Sequence, residues 1–137
     1  MAPLSSADFA RPLLPVLALG LAACTHSVEL VNLRDGSALS GTHSLWRHSL
    51  TVALPTGETA TGTYTKLTTA EIGEGSLFYG ANPGELLGRH TAERVYGYAR
   101  LTGESGTVVE IIFASDWFGH GHGVARTSLT EEYRVTF

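Results

Sequence analysis

The segment from residue 119 to 123 reads Gly-His-Gly-His-Gly, and its residue types and spacing suggest metal chemistry. Two histidines that are two residues apart share one face of an extended strand, where neutral imidazoles can ligate zinc or copper. Asp116 is nearby in sequence. Because two ligands rarely define a site, we expect the glycines to form a tight turn or a close strand contact while His120 and His122 face solvent. Further ligands can arrive through the fold from His43, His48 or His90.

Hydrolysis is the second chemistry that these residues suggest. A hydrolytic site would recruit Ser115 and Asp116 with His120 or His122, but the sequence has no Gly-x-Ser-x-Gly nucleophile elbow. The paired acids at 131–132 fall at a predicted turn, where a solvated face is a simpler interpretation than an acid and base pair. We therefore predict no catalytic residues, no cofactor and no enzymatic activity, and keep a hydrolase as an alternative.

Three aromatic residues lie beside predicted turns: Trp46, Trp117 and Phe118. They would form a platform for carbohydrate or peptide, or they would cap the ends of a β core. Because buried aromatic side chains dominate small cores, we expect core capping.

The single cysteine, Cys24, follows Leu21-Ala22-Ala23 and an apolar run over residues 12–20 that is too short for a permanent membrane helix. This arrangement resembles the signal class of bacterial lipoproteins. The resemblance implies that a diacylglycerol is attached to the Cys24 sulfur, that cleavage precedes Cys24, and that the new amino terminus is acylated. The alternatives are an ordinary cleaved signal with a chance cysteine and a buried cysteine in a short apolar helix.

Composition limits the remaining possibilities. The 137 residues carry a net charge of −4, and the arginines are scattered among glutamates, so nucleic acid is not an expected partner. We predict a signal peptide with a helical core over 1–23, a lipidated anchor and short tether over 24–27, and a single β domain over 28–137. With no second cysteine, packing and backbone pairing must stabilise that domain.

The residues after Cys24 alternate short β-prone runs with turn residues, which predicts an all-β domain. One hairpin turns at Arg34-Asp35-Gly36, and a second turns at Pro55-Thr56-Gly57. An offset of 21 residues matches several positions of the two hairpins, including Leu33 with Leu54 and Gly41 with Gly62, and suggests a repeated unit. We expect about eight strands in a small antiparallel β-barrel or β-sandwich.

The later part of the chain supplies the remaining strands. The run from 107 to 113 is the most β-prone and should be a central strand, and the end of the chain should direct Tyr133, Val135 and Phe137 inward. Between them, residues 68–90 predict a long loop with an exposed 77–79 segment and one short helix that starts near Asn82.

Two parts of the chain are similar to small uncharacterised envelope lipoproteins of Gram-negative bacteria: the 119–137 end and the 50–64 hairpin with its Leu-Pro-x-Gly-Glu turn. This resemblance implies a place in the cell envelope rather than an activity. Thr25 is not the aspartate associated with inner-membrane retention, so it implies the outer membrane, facing the periplasm. A disulfide found in relatives has no counterpart here, because Ala125 occupies one of its positions.

Our leading hypothesis is thus a non-enzymatic, lipid-anchored binding or structural accessory. Its partners would be the membrane, through the lipid on Cys24, and an envelope protein. The alternatives are a metal-binding module at His120 and His122, with Asp116, and an envelope hydrolase.

Overall fold

The computed structural model describes residues 25–66, 77–78, 95–116 and 119–137, which form a closed antiparallel barrel. Each strand pairs with the next, and the last pairs with the first, so the described sheet has no free edge. The prediction of a small all-β barrel or sandwich of about eight strands is confirmed in its barrel form. The strands are β1 Thr25–Asn32, β2 Ala38–Ser44, β3 Ser49–Ala53, β4 Thr59–Lys66, β5 Val95–Thr102, β6 Val108–Ser115, β7 Gly121–Thr127 and β8 Glu132–Thr136.

Side chains fill the barrel interior because alternate residues of the strands point inward. Leu30, Leu50 and Leu101 are fully buried there, and Tyr133 and Val135 join the same cluster, with Phe137 packed against it. The predicted inward face of the last strand is confirmed.

The hairpin turns at one end of the barrel differ in length. The Gly57 N–H donates to the carbonyl of Leu54, three residues earlier, whereas the Gly36 N–H donates to the carbonyl of Asn32, four residues earlier. This extra residue shifts β1 relative to the predicted repeat, so Leu33 is 60% exposed while its predicted counterpart Leu54 is 7% exposed. The constant offset is therefore wrong for β1.

The offset does hold between β2 and β4. Gly41 and Gly62 both lie where a Cβ would collide with a neighbouring strand, 2.4 Å from the Thr51 carbonyl oxygen and 2.0 Å from that of Arg100. The two glycines thus serve the same purpose, which is close approach of adjacent strands.

Strand β6 is buried on both faces. Ile111 and Phe113 point into the barrel, while Ile112 and Ala114 lie on its outer wall beneath Phe78, which is 1% exposed. The predicted central strand is confirmed, and the prediction of an exposed 77–79 segment is wrong for Phe78. An apolar outer face on β6 requires a cover, and Phe78 supplies it.

The barrel begins earlier than the sequence predicted. Strand β1 starts at Thr25, so residues 25–27 belong to the barrel rather than to a tether. The predicted signal peptide, Cys24 and the short helix near Asn82 lie outside the described residues. Within the described ranges, no helix is long and apolar enough to cross a membrane.

Candidate functional site at the amino-terminal rim

We use the name amino-terminal rim for the barrel end at which β1 begins. Thr25 pairs with Ser44, and Ser115 pairs with Gly121, so the connections that follow β2 and β6 meet at this end. The rim comprises Thr25, His26, the 45–48 loop, Lys66, the described residues of the 116–120 connection and Phe137.

The 45–48 loop is anchored on both sides. The Tyr64 N–H donates to the His48 carbonyl at 2.9 Å, and the two aromatic rings lie 5.1 Å apart. His48 has a φ of 50°, a left-handed conformation that residues other than glycine seldom adopt. On the other side Leu45 packs against Gly119, where an added Cβ would lie 3.1 Å from the Leu45 Cδ1.

Trp46, between these anchors, is 88% exposed. The expectation that Trp46 caps the β core is therefore wrong, because its loop carries the indole away from the barrel interior. Trp117 and Phe118, for which the same was expected, lie outside the described residues.

His43 is buried just inside the rim. Its ring is 1% exposed, and neither ring nitrogen has a hydrogen-bond partner within the described part of the chain. Tyr64 and Phe137 pack against it at 5.1 Å and 5.3 Å between ring centroids. Burial lowers the pKa of His43 to about 4, and the nearby charges of His26 and His48 act in the same direction. The imidazole is therefore neutral at pH 7.

The predicted metal-ligating residues are only partly brought together. His120 and Asp116 do meet, with 3.7 Å between Nδ1 and Oδ2 and with the His120 N–H donating to Oδ1 at 3.0 Å. The His120 ring also lies 6.4 Å from that of His26. His122 lies on β7 opposite Ala114 and has the same outward parity as Val124. Across the described ranges, no three His, Cys, Asp or Glu side chains form a group that could hold a metal ion.

The glycines of the same segment have a clear structural role. A Cβ on Gly121 would lie 2.1 Å from the Ala114 carbonyl oxygen, and one on Gly123 would lie 2.4 Å from that of Ile112. These contacts agree with the expectation of a close strand contact, and they account for Gly121 and Gly123 in the Gly-His-Gly-His-Gly segment.

The residues of the hydrolytic alternative have structural partners. Ser115 ends β6, and the Asp116 N–H donates to the His120 carbonyl at 2.8 Å. The two adjacent acids, Glu131 and Glu132, have different partners. Glu131 accepts a hydrogen bond from the Tyr133 hydroxyl, and Glu132 forms an ion pair with Arg126 at 2.9 Å.

A polar network that the sequence did not predict lies on the outer wall. The register places Arg100, Glu110, Arg126 and Glu132 side by side on strands β5 to β8, in alternating charge. Glu110 is fully buried and accepts hydrogen bonds from the Tyr98 hydroxyl at 2.7 Å, the Leu77 N–H at 2.9 Å and Arg100 Nη1 at 3.1 Å.

Arg126 completes this network. Its guanidinium carbon lies 5.0 Å from the centre of the Phe78 ring, and its Nη1 donates to the Leu77 carbonyl at 3.3 Å. Glu110 and Arg126 therefore hold the 77–78 segment against the barrel. The sequence signal that could have revealed this contact is Glu110, a charged residue within the otherwise apolar 108–113 run.

The opposite end of the barrel is acidic. Its turns carry Asp35, Glu58, Glu104 and Glu131 against a single arginine, Arg34. Glu58 links two of these turns, because it accepts hydrogen bonds from the Ser105 hydroxyl and, at 2.7 Å on Oε1, from the Ser105 N–H. These two hydrogen bonds lower the pKa of Glu58. We call this end the acidic rim.

Comparison with protein-family models, with curated proteins and with solved structures finds no match for the chain.

Proposed function

We propose that this protein is a lipid-anchored component of the bacterial cell envelope that acts without catalysis, as a binding or structural accessory. The observation that carries the proposal is the lipobox-like sequence ending at Cys24, one residue before β1. Consecutive Cα atoms are about 3.8 Å apart, so a lipid on Cys24 would attach directly at the amino-terminal rim. Two or three acyl chains provide lasting attachment.

The packing of the barrel supports an accessory role. Large apolar side chains occupy the interior, and the buried polar Glu110 is engaged in holding the 77–78 segment. This arrangement favours recognition through the two rims. Because Thr25, rather than the aspartate associated with inner-membrane retention, follows the cysteine, we propose that the protein lies in the outer membrane and faces the periplasm.

Replacement of the cysteine tests the anchor. Cys24→Ala should abolish palmitate incorporation and release the protein from membranes, while its circular dichroism and melting transition stay unchanged. Thr25→Ser, at the neighbouring exposed position, is the matched control and should keep the label. Unaltered palmitate incorporation in Cys24→Ala would refute the anchor.

Calorimetry distinguishes the metal-binding alternative. We expect weak zinc affinity, and stability nearly independent of chelators, because His120 and His122 lie in no described cluster of three ligands. Tight one-to-one zinc binding that is lost in the His120→Ala, His122→Ala double variant would favour a metal-binding module instead.

A further inference from the structure

The exposed indole of Trp46 is not required by the fold. The side chain is 88% exposed, although the 45–48 loop that carries it is fixed by the His48 to Tyr64 backbone bond and by the contact of Leu45 with Gly119. Because tryptophan is enriched at interfaces, an indole exposed on an anchored loop is a candidate contact for a partner.

The charges of the two barrel ends differ in sign within the ranges that the structure describes. At the amino-terminal rim the described ionic side chains are Arg47 and Lys66, both exposed, and Asp116, which lies beside His120. Glu29 and Arg134 lie farther along the outer wall and have opposite charges. Among the described residues, the rim with the exposed tryptophan therefore carries one net positive charge, whereas the other end is the acidic rim.

The amino-terminal rim is also the end that carries the anchor. Thr25 pairs with Ser44, and Trp46 follows Ser44 by two residues. An acylated Cys24 would thus hold the 45–48 loop at a lipid surface throughout the life of the protein.

We propose that the amino-terminal rim docks on a phospholipid surface, with Trp46 at the headgroup level and with Arg47 and Lys66 against lipid phosphates. This inference rests on the proposed lipid anchor. Tryptophan is enriched at membrane interfaces because its ring is apolar and its N–H is polar, and basic side chains are attracted to anionic lipids. A protein partner would have to compete with a membrane that the anchor keeps at very high local concentration.

Fluorescence quenching tests the docking. The lipidated protein carrying Trp117→Phe has Trp46 as its single tryptophan. It is reconstituted into vesicles of brominated phosphatidylcholine with about one quarter phosphatidylglycerol. We expect Trp46 emission to shift to the blue and to lose most of its intensity relative to vesicles without bromine.

The matched control moves the tryptophan to the other end of the barrel. Leu129, on the acidic rim, is 60% exposed and accepts a tryptophan without disturbing the core. In a chain with Trp46→Phe, Trp117→Phe and Leu129→Trp, emission should stay unquenched. Equal quenching at the two positions would overturn the docking.

Two further measurements separate the possible failures. Mass spectrometry of the reconstituted protein reports acylation, so an unacylated protein overturns the anchor and the docking together. An acylated, vesicle-bound protein with an unquenched Trp46 overturns the docking alone, and a dimer in that sample would assign the rim to a second copy.

If Trp117→Phe does not fold, Trp46→Ala in the otherwise natural chain should remove the quenched component, and its persistence would refute the proposal.

Discussion

Replacing His43 with leucine should stabilise the protein and remove much of its loss of stability in mild acid. The histidine ring is 1% exposed, and its two ring nitrogens have no partner among the described residues. Leucine has a similar size and no polar atom to desolvate. At pH 7, where the imidazole is neutral, removing these unpaired nitrogens should raise the free energy of unfolding by about 1–3 kcal/mol.

The pH dependence follows from the lowered pKa. In the unfolded chain His43 takes up a proton near its ordinary pKa of 6.5, whereas in the barrel it does so only near 4. Between these values the unfolded state binds more protons. Protonation of His43 therefore leaves the free energy of unfolding unchanged above about pH 6.5 and lowers it progressively as the pH falls towards 4. The drop amounts to about 3 kcal/mol, because a difference of one pKa unit between the unfolded and folded states corresponds to about 1.4 kcal/mol.

Urea unfolding at several pH values between 7 and 4 measures both effects. His120→Gln is the matched control, because the His120 side chain is 71% exposed at the same rim. The natural protein and this control should lose stability in parallel as the pH falls, while His43→Leu loses less. Identical slopes for His43→Leu and the natural protein would refute the argument that burial holds His43 neutral.

Two other predictions concern charge burial and turn strain. Glu110→Ala should lower the free energy of unfolding by about 3 kcal/mol because it removes a buried carboxylate from three partly buried donors. Glu132→Ala, at the exposed end of the same row, should lower it by less than about 1 kcal/mol. Equal losses in urea unfolding would contradict this assignment. Thr130 has a φ of 64° where the related turn has Gly57, so Thr130→Gly should stabilise by about 1 kcal/mol, and Gly57→Thr should destabilise by at least as much. A lower melting temperature for Thr130→Gly would show that the lost hydrogen bond to the Leu129 carbonyl outweighs the strain.

The strands were predictable because their signals are local. Alternation of apolar and polar residues marks Tyr133, Val135 and Phe137, and Asp-Gly marks the first hairpin. The choice between barrel and sandwich was not predictable, because it depends on the pairing of β1 with β8, residues about a hundred positions apart in the chain. The one-residue shift in β1 also escaped prediction, since it arises from Asn32, whose side chain accepts the Arg34 N–H and lengthens the turn.

The candidate site was less predictable than the fold. His43 follows the inward parity of β2, but its neighbours Tyr64 and Phe137 come from strands far along the chain. Tryptophan is a residue type that is commonly buried in small cores. The exposure of Trp46 follows from the geometry of its anchored loop, which the sequence does not reveal. The two-residue spacing of His120 and His122 was visible in sequence, but the close strand contacts that require Gly121 and Gly123 depend on the pairing of β6 with β7.

The closed barrel leaves its two ends as the surfaces best suited to recognition. Eight strands enclose an interior that side chains can fill, and the outer wall of β6 is covered by Phe78. If Cys24 is acylated and the rim docks as we propose, the end with Trp46 would lie against the lipid, and the acidic rim would point away from it. Asp35, Glu58, Glu104 and Glu131 would form the first surface that an envelope partner meets, and complementarity favours a partner with a basic patch.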